Sequence, residues 1–172
     1  MPETPLILTL TIDADSQLFF NHLRRQHFPP ERNYLDAHLT LFHHLPAQVN
    51  QILEDIDLEA KLHHYMHLNV TEIKCIGNGV AYKIECAELL QLHKRMQMQW
   101  HEWLTPQDKQ KLWPHITIQN KVEPAKSLQL QAELQQDFEP FSVCGVGLSL
   151  FEYKGGPWEF VKTIDFTGKM HN

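Results

Sequence analysis

Cysteine is scarce: Cys75, Cys86 and Cys144 are the only three in 172 residues, an odd number with no Cys-x-x-Cys spacing. That excludes a disulfide framework and a zinc ribbon, and it fits a reducing, cytoplasmic setting. Long apolar runs are also missing, and Met1 is not followed by a basic region and an apolar stretch, so neither a membrane span nor a signal peptide is expected. Basic charge is in deficit, with 15 Lys and Arg against 21 Asp and Glu for a net charge of −6. A protein that coats long nucleic acid or an anionic membrane by bulk electrostatics would need the opposite balance, whereas a small anionic substrate at a local site remains compatible. The 7 glycines form no phosphate-cradling Gly-x-x-x-x-Gly-Lys-Ser/Thr loop, no dinucleotide fingerprint and no Gly-x-Ser-x-Gly elbow. A Lys-x-Asp-Gly motif, which an ATP-dependent ligase would use to accept a nucleotidyl group, is absent as well.

What is present is an ordinary globular composition, 42% apolar and 21% charged, at a length suited to one domain. Period-2 patterning predicts strands over 6–12, 37–42, 66–76, 80–86, 115–120, 141–153 and 158–166. Helical spacing predicts helices from Asp13 or Asp15 to His27, over 49–65, over 88–104 with Trp100 and Trp103 in its apolar stripe, and over 125–138. The order is βαβαβ twice and then one last strand, which points to an internal duplication. The expected fold is α+β: a single bilobal domain over 1–172, with two mainly antiparallel sheets and outer helices around a central cleft on a pseudo-two-fold axis.

The two halves share a short motif. His38-Leu39-Thr40-Leu41 and His115-Ile116-Thr117-Ile118 each read His, apolar, Thr, apolar, and they begin 77 residues apart. Side chains alternate faces on a strand, so each His shares a face with its Thr while the apolar pair turns to the core. If the two polar faces meet across the cleft, two imidazoles and two hydroxyls surround one pocket. That set suits phosphodiester cleavage: a neutral imidazole takes a proton from water, a protonated one gives a proton to the departing oxygen, and the hydroxyls of Thr40 and Thr117 hold phosphate oxygens. This chemistry demands no metal and no cofactor.

The paired motifs resemble those of the 2H phosphoesterases, specifically the 2′-5′ RNA ligase or RNA 2′,3′-cyclic phosphodiesterase branch. The closing stretch from Ser149 to Val161, SLFEYKGGPWEFV, is similar to the final hairpin of that branch. The resemblance implies metal-independent opening of a 2′,3′-cyclic phosphate at an RNA terminus or on a small cyclic phosphodiester, or the reverse joining of RNA ends through a 2′-5′ bond. It implies His115 as base on water and His38 as acid on the leaving O3′, in a cytoplasmic monomer that takes part in RNA processing without an obligate protein partner. The other class of reading is a non-catalytic module that binds RNA ends or cyclic nucleotides in the same cleft.

Around the motifs, Phe42 is a candidate for base stacking or for core packing, and Gln119 is its counterpart in the second half. His43 is placed at the cleft rim, Trp158 beside a base or in the hairpin core, and Lys154, Arg32 and Lys83 are candidates to neutralise phosphate charge. His63 and His67 are four apart, but no Asp or Cys at ligand spacing completes a metal set.

Overall fold

In the computed structural model, which describes residues 4–169, the strands are β1 (Leu6–Ile12), β2 (Leu39–Leu45), β3 (Met66–Cys75), β4 (Val80–Glu85), β5 (His115–Gln119), β6 (Phe141–Tyr153) and β7 (Trp158–Asp165). The helices are α1 (Ala14–His27), α2 (Asn50–Leu62), α3 (Ala87–Gln99) and α4 (Pro124–Gln135). This is the expected order. Asp13 caps α1 by accepting from the Ser16 amide at 3.1 Å. Helix α3 stops at Gln99, short of the expected Leu104, because residues 101–103 tighten into a single 3₁₀ turn around the fully buried Trp100. Gly77 takes a left-handed φ of 93° between β3 and β4, and a Cβ at Gly79 would run into the Gln119 carbonyl.

All strand pairs are antiparallel, in the order β2-β1-β6-β3-β4-β5, with β7 also on β6. The two expected sheets are thus two wings that share β6. Its first residues pair with β3 and its remainder with β1 and β7. The sheet curls until its border strands β2 and β5, far apart in pairing order, approach within 8 Å Cα to Cα.

The helices cross between wings. Helix α1 leaves β1 but packs on β5, and α3 leaves β4 but lays His93 under β2. Phe42 sits between His93 and Trp100, at centroid distances of 4.5 and 5.1 Å, and the indole N–H of Trp100 donates to Asp55 on α2 at 2.9 Å. Each half therefore holds the other half's motif strand, so the two cannot separate without opening both cores.

Behind the sheet, His63 lies between Glu88, 2.8 Å from Nδ1, and Glu59, 3.1 Å from Nε2, while Arg95 reaches Glu59 at 3.0 Å. The hydrogen bond to Glu59 outweighs burial and raises the basicity of His63. A raised imidazole stabilises the fold fully below its ordinary value of 6.5, and that contribution is lost as pH climbs through the raised value. Urea unfolding of the wild-type protein should weaken as pH rises past this window, and His63→Gln should flatten that part of the stability profile. Parallel profiles for the two proteins would refute the linkage.

Candidate active site

Both motif strands carry the same irregularity. Thr9 pairs with Thr40 and Leu8 with Phe42, leaving Leu41 as an extra residue; Ala81 pairs with Thr117 and Val80 with Gln119, leaving Ile118 as the extra one. A bulge shifts the side-chain alternation of everything beyond it. Phe42 is therefore fully buried in the core and unable to stack on a substrate base, contrary to one of its two expected roles. Gln119 is likewise turned away from the cleft, 6% exposed, toward a groove between the end of α1 and α4 that contains neither motif histidine. The same shift in β2 puts His43, the residue after Phe42, on the rim of the hollow that Thr40 and His115 line, and a second irregularity before Leu45, which pairs with Leu6, returns Leu45 to the core.

The two histidines are held alike. His38 Nδ1 lies 2.8 Å from the Asp36 carbonyl and His115 Nδ1 lies 2.7 Å from the Trp113 carbonyl, each two residues upstream. A carbonyl only accepts, so Nδ1 carries the hydrogen in both rings and Nε2 is left for chemistry. Each ring also faces an indole at 4.5 Å, Trp158 for His38 and Trp113 for His115. Among the described residues the side-chain hydroxyls of Thr40 and Thr117 make no hydrogen bond, which leaves both free to donate.

Burial pushes His38 down to about 4 against the opposing bond to Asp36, with Arg24, His115 and His43 adding positive repulsion. Burial lowers His115 as well, against its bond to Trp113, and His43 adds to the effect. The two motifs meet where β2 approaches β5, with Thr40 of the first and His115 of the second lining one hollow, while His38 lines the other. In the free protein both motif imidazoles are neutral at pH 7.

Three supporting residues were not legible as such from the sequence. Arg24 is 3% exposed and donates from Nη1 to the Thr117 carbonyl at 2.9 Å and from Nε to the Leu35 carbonyl at 3.1 Å, tying α1 to both motif segments. Its place one turn beyond Phe20, beside Leu23 on the buried stripe, was the available signal. His93 donates from Nε2 to the carbonyl of the bulged Leu41 at 2.9 Å. Asp108, in the α3–β5 connection, accepts the His43 and His44 amides at 2.8 Å each and faces His43 Nδ1 at 3.3 Å. Burial opposes ionisation of Asp108, but these donors hold its carboxyl below the usual range.

The remaining candidates divide. Trp158 lines the hollow beside His38. Lys154 does not face the cleft hollows; it is clamped on the β6–β7 hairpin by Glu152 at 2.8 Å and Glu159 at 3.3 Å. Lys83 pairs with Glu72 and Glu85, and Arg32 is exposed beyond α1. His67 lies on β3 beside Ser142, away from the carboxylates that hold His63. Among the described residues no cluster of three potential metal ligands occurs, and no helix is long and apolar enough to cross a membrane.

The model of the 2′-5′ RNA ligase superfamily matches residues 12–157. Comparison of the sequence with curated proteins gives no match. Among solved structures the fold is similar to TT0787 of Thermus thermophilus, with a TM-score of 0.66, 15% identity and coverage of 96% of this chain and 100% of that one. It is also similar to E. coli LigT, at TM-scores of 0.60 complexed with NADP+ and 0.58 complexed with 3′-AMP, with 17% and 16% identity, over 96% of this chain and 99% of LigT in both cases. At such identities the structures speak for the fold, and the family model, which spans most of the sequence including both histidine motifs, speaks for descent: the chain belongs to the 2′-5′ RNA ligase superfamily, the 2H phosphoesterases.

Proposed function

We propose that the protein opens 2′,3′-cyclic phosphates at RNA ends or on nucleotides without a metal, with His38 and His115 as the acid–base pair and Thr40 and Thr117 holding the phosphate. The observation that carries this reading is the matched tethering of the two imidazoles, each fixed through Nδ1 to the carbonyl two residues before it. Such a ring works through one nitrogen: bare, Nε2 takes a proton from water; protonated, it delivers one to the leaving oxygen.

The electrostatics give the substrate a part in arming the pair. With both rings neutral, one must gain a proton before it can act as acid, and the negative phosphate supplies the countercharge that the free cleft lacks. With His115 as base, as the family resemblance implies, His38 is the ring that takes up a proton from solvent when the anionic phosphate binds beside it. In 2′-5′ joining a 5′-hydroxyl replaces water, attacks the same phosphorus and expels the same O3′, so base and acid keep their roles.

Hydrolysis of a nucleoside 2′,3′-cyclic monophosphate with EDTA present tests the reading, and turnover is expected. Tight binding without turnover would instead identify a binding module. The kcat/KM profile reports the pair in the free enzyme, and both members lie below their ordinary 6.5, His38 at about 4. Activity should therefore peak on the acid side and decline steadily above pH 6.5. A profile that is flat up to about pH 8 would remove these imidazoles from the rate-determining chemistry.

A further inference from the structure

The duplication does not extend to His43. The residue 77 positions further on is Asn120, and its side chain accepts the Lys121 amide at 2.8 Å in the turn that follows β5. His43 instead stands with Thr40 and His115 on one hollow of about 170 Å³. At roughly 30 Å³ per water that space holds about six waters, room enough for one phosphate group against all three side chains.

The His43 ring is aimed and not merely exposed. The Asp108 side chain is 1% exposed; its Oδ1 takes the His43 amide at 2.8 Å and faces Nδ1 at 3.3 Å, while Oδ2 takes the His44 amide at 2.8 Å. Gln97 on α3 fixes the connection that carries Asp108 by donating to the carbonyls of Asp108 at 3.0 Å and Gln110 at 2.6 Å. A carboxylate at Nδ1 keeps the ring hydrogen there and turns Nε2 toward a ligand, as it does for other working imidazoles. Around this ring stand the titratable groups of each neighbouring element: Asp108 and Lys111 from the connection, His93 from α3, His115 from β5, and His38 just before β2.

A phosphodiester brings a negative charge to this hollow, and few groups there can meet it. Both motif imidazoles are neutral in the free protein. Arg24 is turned to the carbonyls of Leu35 and Thr117, and the buried His93 is bonded to the Leu41 carbonyl. Lys111 lines the hollow from an exposed position, and among the described residues it makes no ion pair. We propose that His43 is a third working imidazole of the site: its Nε2–H donates to a non-bridging oxygen of the phosphate beside the Thr40 hydroxyl, and it relays no proton between water and the leaving oxygen. The Nε2 hydrogen comes from solvent as the anion binds, because the countercharge favours the charged ring. This rests on the phosphodiesterase reading above and adds a charge-holding role that the duplicated motifs do not contain.

His43→Gln leaves both backbone amides on Asp108, so the urea unfolding midpoint should hardly move. Its kcat/KM for uridine 2′,3′-cyclic phosphate should fall roughly 10- to 100-fold, the scale of one hydrogen bond to a charged group. His43→Lys returns a charge and should recover part of that loss, which a purely structural role would not allow. Inorganic sulfate, an oxyanion that does not itself titrate near neutrality, gives a readout without turnover. In proton NMR of the wild-type protein, the ring signal that is absent from His43→Gln should show a higher protonation midpoint when sulfate is added, since binding and proton uptake are linked. Unchanged kcat/KM in His43→Gln, no recovery in His43→Lys, or a signal whose midpoint ignores sulfate each overturns the assignment. If the wild-type protein opens no cyclic phosphate, the phosphodiesterase reading fails, and the sulfate titration alone decides whether His43 meets an oxyanion.

Discussion

Replacing either His38 or His115 by alanine should lower kcat/KM for a 2′,3′-cyclic phosphate by about 10²–10⁴-fold, the range that positioned proton transfer supplies. The two rings serve one step, so the double variant should be only slightly slower than the worse single one, and multiplication of the two losses would mean that the histidines act independently. Each ring is anchored only through its own Nδ1 contact and a neighbouring indole, so its removal should leave the unfolding midpoint nearly unchanged. An alanine variant that is folded and fully active would dismiss the paired assignment.

Arg24→Gln should act on stability and on pH dependence together. The wild-type guanidinium lies buried over the Phe28 ring at 4.2 Å and donates to Asn33 and to the carbonyls of Leu35 and Thr117. Losing a charged donor that satisfies buried carbonyls should cost on the order of 2–4 kcal/mol in urea unfolding. It also removes one of the positive charges that hold His38 down, so the His38 value should rise from about 4 and carry the acid-side limb of kcat/KM to higher pH. Arg24→Lys separates the two effects: it keeps the charge, and hence the limb, but lacks the fork that reaches both segments. A limb that stays in place in Arg24→Gln would show that this charge does not reach the ring.

The order of elements was legible because each strand and helix writes its own period, and the duplication was legible because His-x-Thr recurs. The strand alternation beyond Thr40 and Thr117 was not. A bulge is set by pairing with the neighbouring strand and by His93 from a distant helix, so nothing local told that Phe42 would turn inward or that His43 would take its place at the cleft. Asp108 carries no local signal and Arg24 only its place on the buried stripe of α1, because their partners lie 65 and 93 residues away. Trp113 was passed over, although it stands before His115 as Asp36 stands before His38. Lys154 read as a free cation because its two carboxylate partners emerge only when the hairpin closes.

Putting the motif strands β2 and β5 at the borders of the sheet leaves unpaired backbone where another chain's strand could add. On β2 the bulges spoil a straight ladder, and Asp108 occupies two consecutive outward amides that an incoming strand would need. The carboxylate that orients His43 thus also occupies the border amides that intermolecular β-pairing would use.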